Sequence, residues 1–183
     1  MACWGIGLTI LETLVADERV HVTMVLTRNT KDDDPWAGVV MSRAQTLGIA
    51  STSFEAMGTE ALCYTLDKCE ADILMVHAYP KKLPREVFGR LPLGTINLHP
   101  SLLPLYRGPS PTDAVLQDKA QETGLTAHIM DDEFDSGPII SQRKIPVLRN
   151  DSIKAVIERM KSVVPSLMEE TVTKILDKDF EAS

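Results

Sequence analysis

The spacing of apolar positions divides this 183-residue chain into alternating helical and extended stretches. Ile6, Ile10, Leu11, Leu14 and Val15 recur at helical intervals, which predicts an amphipathic helix over residues 5–17. Val20 to Leu26 alternates and is rich in β-branched residues, the pattern of a strand. Helical spacing returns from Trp36 to Leu47, and Gly48 suits the position just past a helix end. A brief strand at Ile49–Thr52 and a helix through Ala56–Leu66 follow. Asp72 to Val76 is a continuous apolar strand of the kind buried on both faces.

In the second half, Pro80 and Pro84 punctuate a turn into a short helix near Arg85–Phe88. Gly94 to His99 reads as a strand, and Pro104 to Pro111 as a loop rich in Pro and Gly. Pro111 suits the first turn of a helix reaching about Gln117. Strands at Leu125–Met130 and Ile139–Val147 flank a loop over Asp131–Gly137. Asp151-Ser152 caps a last helix, about 152–177, with Pro165 expected to kink it. Strands alternating with helices predict an α/β fold: a Rossmann-like, mostly parallel sheet flanked by helices, with one antiparallel excursion late in the chain.

One element is missing from that pattern. The Gly5-Ile6-Gly7 turn opens the first helix, where such a sheet needs a strand immediately before it. Only Met1 to Trp4 precede the turn, fewer than the usual strand of about 5–6 residues. The expectation is that the first strand is absent because Met1 is internal to a longer product. A sheet built without it has an unfilled slot with two open edges.

Composition narrows the class. The length suits one core, so residues 1–183 are expected to form one domain with no second. Apolar residues make up 44% and charged residues 25%, as in ordinary globular proteins, and no apolar run approaches the ~20 residues of a membrane span. No signal-peptide pattern opens the chain, and Cys3, Cys63 and Cys69 have neither metal-ligand spacing nor an even count. The expected setting is a reducing cytoplasm, with no metal and no membrane contact. The net charge of −7 leaves no basic face for RNA phosphates. Lys81-Lys82 with Arg85 and Arg90 is the densest basic stretch and reads as a solvated rim.

The chemistry concentrates after Gly94. Asn97 and His99 are two apart, so a strand points both side chains to one face. Pro100 ends that strand, which sets both groups at its carboxyl end, where open α/β sheets form ligand crevices. Asp135, in Asp135-Ser136-Gly137, supplies a carboxylate from a later loop. An amide, an imidazole and a carboxylate suit acyl-type transfer through a tetrahedral oxyanion. The amide donates to the developing charge, and an imidazole, which ordinarily titrates at about pH 6.5, stabilises it or relays a proton. Each also has a plainer reading: Asn before Pro closes turns, a lone strand-end His is commonly structural, and Asp before Ser-Gly initiates turns.

Residues 72–147 resemble the catalytic core of the 10-formyl-tetrahydrofolate-dependent formyltransferases. The resemblance rests on Asn97-Leu98-His99-Pro100-Ser101-Leu102-Leu103-Pro104, Tyr106-Arg107-Gly108-Pro109, Glu122-Thr123-Gly124-Leu125-Thr126 and Asp135-Ser136-Gly137-Pro138-Ile139-Ile140, with weaker similarity back to about Gly5. It implies transfer of a formyl group from 10-formyl-tetrahydrofolate to a primary amine, with Asn97, His99 and Asp135 catalytic. His128 resembles a second active-site histidine found in part of the family. The loop Met130, Asp131, Asp132, Glu133 and Phe134, with Tyr79, resembles the folate-binding region, and Arg107 and Gly108 are weaker substrate-binding candidates. His77 is expected to be structural and His21 to lie on the surface.

The acceptor is narrowed by elimination. Glycinamide ribonucleotide transformylases carry a polar phosphate loop where this chain has Gly5-Ile6-Gly7-Leu8-Thr9. Methionyl-tRNA formyltransferases add a basic loop, against Asp32-Asp33-Asp34 here, and a C-terminal domain; formyl-tetrahydrofolate hydrolases add a regulatory domain. A small amine, such as that of a nucleotide-linked amino sugar, is the expected acceptor, with tRNA disfavoured. A methionyl-tRNA-formyltransferase-like protein is the alternative within the class. A folate-binding or interaction module without turnover is the alternative outside it.

Overall fold

The computed structural model describes residues 5–28, 35–54 and 57–179. The Asp32-Asp33-Asp34 run and the four residues before Gly5 lie outside them. The elements are α1 (Ile6–Ala16), β1 (Met24–Thr27), α2 (Pro35–Thr46), β2 (Ala50–Ser53), α3 (Thr59–Lys68), β3 (Leu74–His77), α4 (Arg85–Phe88), β4 (Thr95–His99), α5 (Pro111–Gln117), β5 (Glu122–Ile129), β6 (Ile139–Pro146) and α6 (Ile153–Asp177). The alternation expected from the apolar spacing is present throughout, with boundaries moved by a few residues. β1 starts at Met24 rather than Val20, although Val20 and Val22 still pack against the core.

β1 and β2 pair in parallel, and a second sheet has the order β3-β4-β5-β6. β3 and β4 run parallel, while β5 is antiparallel to both β4 and β6. β5 is therefore the single antiparallel excursion, and β6 points the same way as β4. Among the described residues no strand joins β1 to β3. The ends of both strands, Thr27 with Arg28 and His77 with Ala78, line one cavity together with Gly5, Gly7 and Leu8 at the start of α1. That opening corrects one expectation: of β3 only Val76 is buried, because among the described residues the strand's outer edge has no neighbour.

Two apolar layers sandwich the sheet. On one face Ile6, Ile10 and Leu14 of α1 and Met160, Val164 and Leu167 of α6 pack onto Ile96 and Leu98 of β4. On the other, Leu62 and Leu66 of α3 and Val87 and Phe88 of α4 pack with Val76. α6 starts where its sequence says it should, with the Ser152 hydroxyl accepting from the Ala155 amide at 3.2 Å. It runs through Pro165 as one helix of 25 residues. The alternation of β4 has a consequence for chemistry: Ile96 and Leu98 anchor it against α1 and α6, so Asn97 and His99 must face the opposite side.

Candidate active site

The polar groups gather at the carboxyl end of β4. Asn97 lies opposite His128 of β5 in register, and their side chains meet, with Asn97 Nδ2 3.1 Å from His128 Nε2. The loop after β5 folds back so that Asp135 reaches both strands. Its Oδ1 accepts from Asn97 Nδ2 at 3.2 Å and lies 3.5 Å from His128 Nε2. Its Oδ2 accepts from the Gly108 amide at 2.8 Å and lies 3.3 Å from His99 Nδ1. The side chains of His99, His128 and Asp135 are only 6%, 2% and 10% exposed. One carboxylate thus ties together two strands and two loops.

The bond partners assign the protons. A carbonyl oxygen can only accept, so His99 Nε2 carries a hydrogen and donates it to Tyr106 O at 2.8 Å. For the same reason His128 Nδ1 donates to Ile129 O at 2.9 Å, which leaves its Nε2 to accept from Asn97. With Nε2 committed, the remaining His99 nitrogen faces a carboxylate across 3.3 Å. A neutral ring opposes lone pair to lone pair there, whereas one proton between Nδ1 and Oδ2 turns the contact into a charge-assisted hydrogen bond. The pair is built to take up one proton.

Burial pushes the His99 pKa down and outweighs the Tyr106 carbonyl and the Asp135 charge, which pull it up. For Asp135 burial acts upward, but the adjacent His128 ring, the facing His99 and the Gly108 amide together hold its carboxyl below the usual range. Both groups are therefore unprotonated at neutrality, an ionised carboxylate beside an imidazole that resists charging.

Backbone shape supports this placement. Asp135, Tyr106 and Ser110 all have positive φ, at 51°, 57° and 57°. Three non-glycine residues in left-handed conformations around one site are held there by the surrounding structure, as at ligand clamps. Gly137 is required by close approach: a Cβ there would sit 2.0 Å from the Ile129 carbonyl, the acceptor that orients His128.

The remaining expected residues divide between the Asp131–Phe134 loop, the side facing α3 and α4, and the surface. Asp131 Oδ1 accepts from the Glu133 amide and the Ser136 hydroxyl, which folds the loop on itself. Asp132 is held from outside by Arg85 at 2.7 Å and by the Lys82 ammonium on its carbonyl, while Lys82 lies over the Phe134 ring. Glu133 and Phe134 are exposed. Met130 and Tyr79 pack against the α3–α4 cluster, and the Tyr79 ring lies 4.9 Å from Phe54. Gly108 faces inward onto Asp135, whereas Arg107 is exposed. His21 is exposed, and His77 donates through Nδ1 to the Leu98 carbonyl at 3.0 Å with its pKa lowered by burial. Among the described residues no group of three His, Cys, Asp or Glu is placed to hold a metal ion.

Sequence reasoning missed two participants, the Tyr106 and Ile129 carbonyls. A main-chain acceptor carries no signal in residue type; only the positive φ at Tyr106, invisible in a one-letter string, marks it.

The formyl transferase family model matches residues 10–172. A methionyl-tRNA formyltransferase from Roseiflexus castenholzii is 38% identical over 141 residues, covering 75% of this chain and 45% of that protein. The chain thus spans less than half the length of the curated relatives it matches. In fold it resembles the phosphoribosylglycinamide formyltransferase of Anaplasma phagocytophilum, with a TM-score of 0.80 at 24% identity over 95% of this chain and 83% of that one. It also resembles a formyltetrahydrofolate deformylase from Pseudomonas syringae, with a TM-score of 0.78 at 20% identity over 95% and 58%.

Proposed function

The chain belongs to the formyl transferase family, and on that premise we propose that it moves a formyl group from 10-formyl-tetrahydrofolate to a primary amine, using Asn97, His99 and Asp135. The observation that carries the reading is the single carboxylate of Asp135, bonded to Asn97 and facing both histidines, with all these side chains largely shielded from water. Attack of an amine on a formyl carbon generates an oxyanion and leaves the amine with a proton to lose. The Asn97 amide redirects toward the oxyanion the hydrogen that it gives to Asp135 in the resting site, a contribution on the order of 3 kcal/mol to the barrier. The proton passes to the open position between Asp135 Oδ2 and His99 Nδ1; collapse of the oxyanion then breaks the bond from the formyl carbon to the folate nitrogen, which takes up that proton as tetrahydrofolate leaves. His128, with Nδ1 tied to Ile129, holds the Asn97 amide in its donating orientation.

The residues present fit a folate. Tyr79 and Met130 give an apolar wall for a flat heterocycle, and the self-bonded loop Asp131–Phe134 offers main-chain groups along its edge. The donor supplies an activated formyl group when bound; the wall and loop orient it and exclude water beside Asp135.

Two acceptors have support from different observations. The names of the sequence relatives favour the amine of methionyl-tRNA. A net charge of −7, and ion pairing of Arg85 with Asp132, favour a small amine such as a nucleotide-linked amino sugar. The test is transfer of labelled formyl from 10-formyl-tetrahydrofolate to each, in wild type and His99→Ala. Transfer lost by orders of magnitude in His99→Ala is expected. A folded wild type that transfers to no amine, while still showing a thermal shift with a formyl-folate analogue, would identify a binding module instead.

A further inference from the structure

The imidazole of His99 depends on where the loop after β4 places the Tyr106 carbonyl and the Gly108 amide, and one buried hydroxyl holds that loop. Thr126 of β5 is fully buried and lies directly opposite His99 in register. Its Oγ1 donates to Ser101 O at 2.7 Å and accepts from the Leu103 amide at 3.1 Å and from Gln142 Nε2 at 2.8 Å. A hydroxyl has one hydrogen and two lone pairs, so all three capacities are used. Gln142, opposite Thr126 on β6, sends its other amide hydrogen to Leu103 O at 2.8 Å. Ser101 completes the brace by donating to Leu105 O at 2.6 Å.

This network is internal to no secondary structure. It fastens Ser101, Leu103 and Leu105, and the next residues are Tyr106, which accepts from His99, and Gly108, which donates to Asp135. We infer that Thr126 and Gln142 are positioning residues for the transfer: through the loop Ser101–Leu105 they set the tautomer of His99 and the seat of Asp135. The inference rests on the catalytic reading of His99 and Asp135. Neither residue touches a substrate; they act on the proton-handling pair from behind, across two strands. A loop set only by its own turns has no use for a glutamine reaching from β6, two strands away from β4.

Thr126→Val keeps the shape and removes the hydroxyl. It leaves the Ser101 carbonyl and Leu103 amide unpaired, which frees the loop to shift. A displacement near 1 Å at the reacting groups costs about 100-fold in rate. The expected result is a fall in kcat of about that size, with KM for the folate within about threefold because its loop lies elsewhere, and rescue by Thr126→Ser. Nitrogen chemical shifts of the His99 ring supply a readout independent of turnover. The wild type is expected to hold its hydrogen on Nε2, and Thr126→Val to lose that single tautomer. Gln142→Glu, which removes the donor without changing shape, should move the same signals if Thr126→Val does not fold. A folded variant with wild-type kcat and an unchanged His99 signature overturns the inference. A wild type without transferase activity would overturn the catalytic reading, while the His99 signals would still decide whether the network sets its tautomer.

Discussion

Asp135→Asn is the most discriminating single change, because it removes a charge while leaving a shape. Asparagine tolerates the left-handed backbone found at this position as well as aspartate does. The Gly108 amide can still donate to the new side-chain oxygen. What disappears is the negative charge 3.3 Å from His99 Nδ1. Two unit charges at that distance interact by roughly 5 kcal/mol at an effective dielectric of about 20. Desolvation of the carboxylate, relieved once the charge is gone, offsets about half of that. The remaining loss of about 2.5 kcal/mol corresponds to a factor of about 70 in rate. Loss of the proton acceptor itself removes a further ~10²-fold or more. The assay is single-turnover formyl transfer at saturating 10-formyl-tetrahydrofolate, with thermal unfolding alongside. The expected outcome is a rate down by at least ~70-fold from the charge alone, and by about 7,000-fold with both factors, in a protein that still melts cooperatively. Asp135→Asn retaining more than a third of the wild-type rate would refute the proposed proton position between Asp135 and His99.

Two other outcomes follow from the same geometry. The His99 pKa is lowered on folding, so the unfolded chain binds its proton first as pH falls; stability should drop between about pH 6.5 and the lower folded value. Asp135, also lowered, contributes stability that is present above about pH 3.9 and is lost as pH falls through its folded value. Urea midpoints measured against pH should show both slopes, and His99→Gln should reduce the upper one, which His77, also lowered by burial, shares; an unchanged upper slope would exclude His99 as a source. Gly137→Ala should cost about 1–3 kcal/mol, since its Cβ meets the Ile129 carbonyl at 2.0 Å and the β5–β6 connection must move. A urea midpoint equal to wild type would show that the close approach is relieved freely.

Much of the site was legible before any coordinates. Asn97 and His99 share a face because strand side chains alternate, and Ile96 and Leu98 between them are apolar enough to decide which face turns inward. Ser152 announces the start of α6, and Arg85–Phe88 forms the short helix that Pro84 leads into. The pairing of Asn97 with His128 was not legible. It depends on the register of β4 against β5, which local patterning leaves open and the packing of both strands under α6 decides.

By itself, then, the order of residues determined the local elements, the face shared by Asn97 and His99 and the residue types of the site. These follow from periodicity, capping and turn chemistry, which act over a few neighbours. Only the tertiary structure decided that the Tyr106 and Ile129 carbonyls assign the histidine protons, that Asp135 reaches Asn97 and both histidines at once, and that Thr126 and Gln142 brace the loop behind His99. Most of these are hydrogen bonds between groups up to tens of residues apart. Main-chain carbonyls and amides are the same at every position, so residue identity holds no trace of where each one will find its partner.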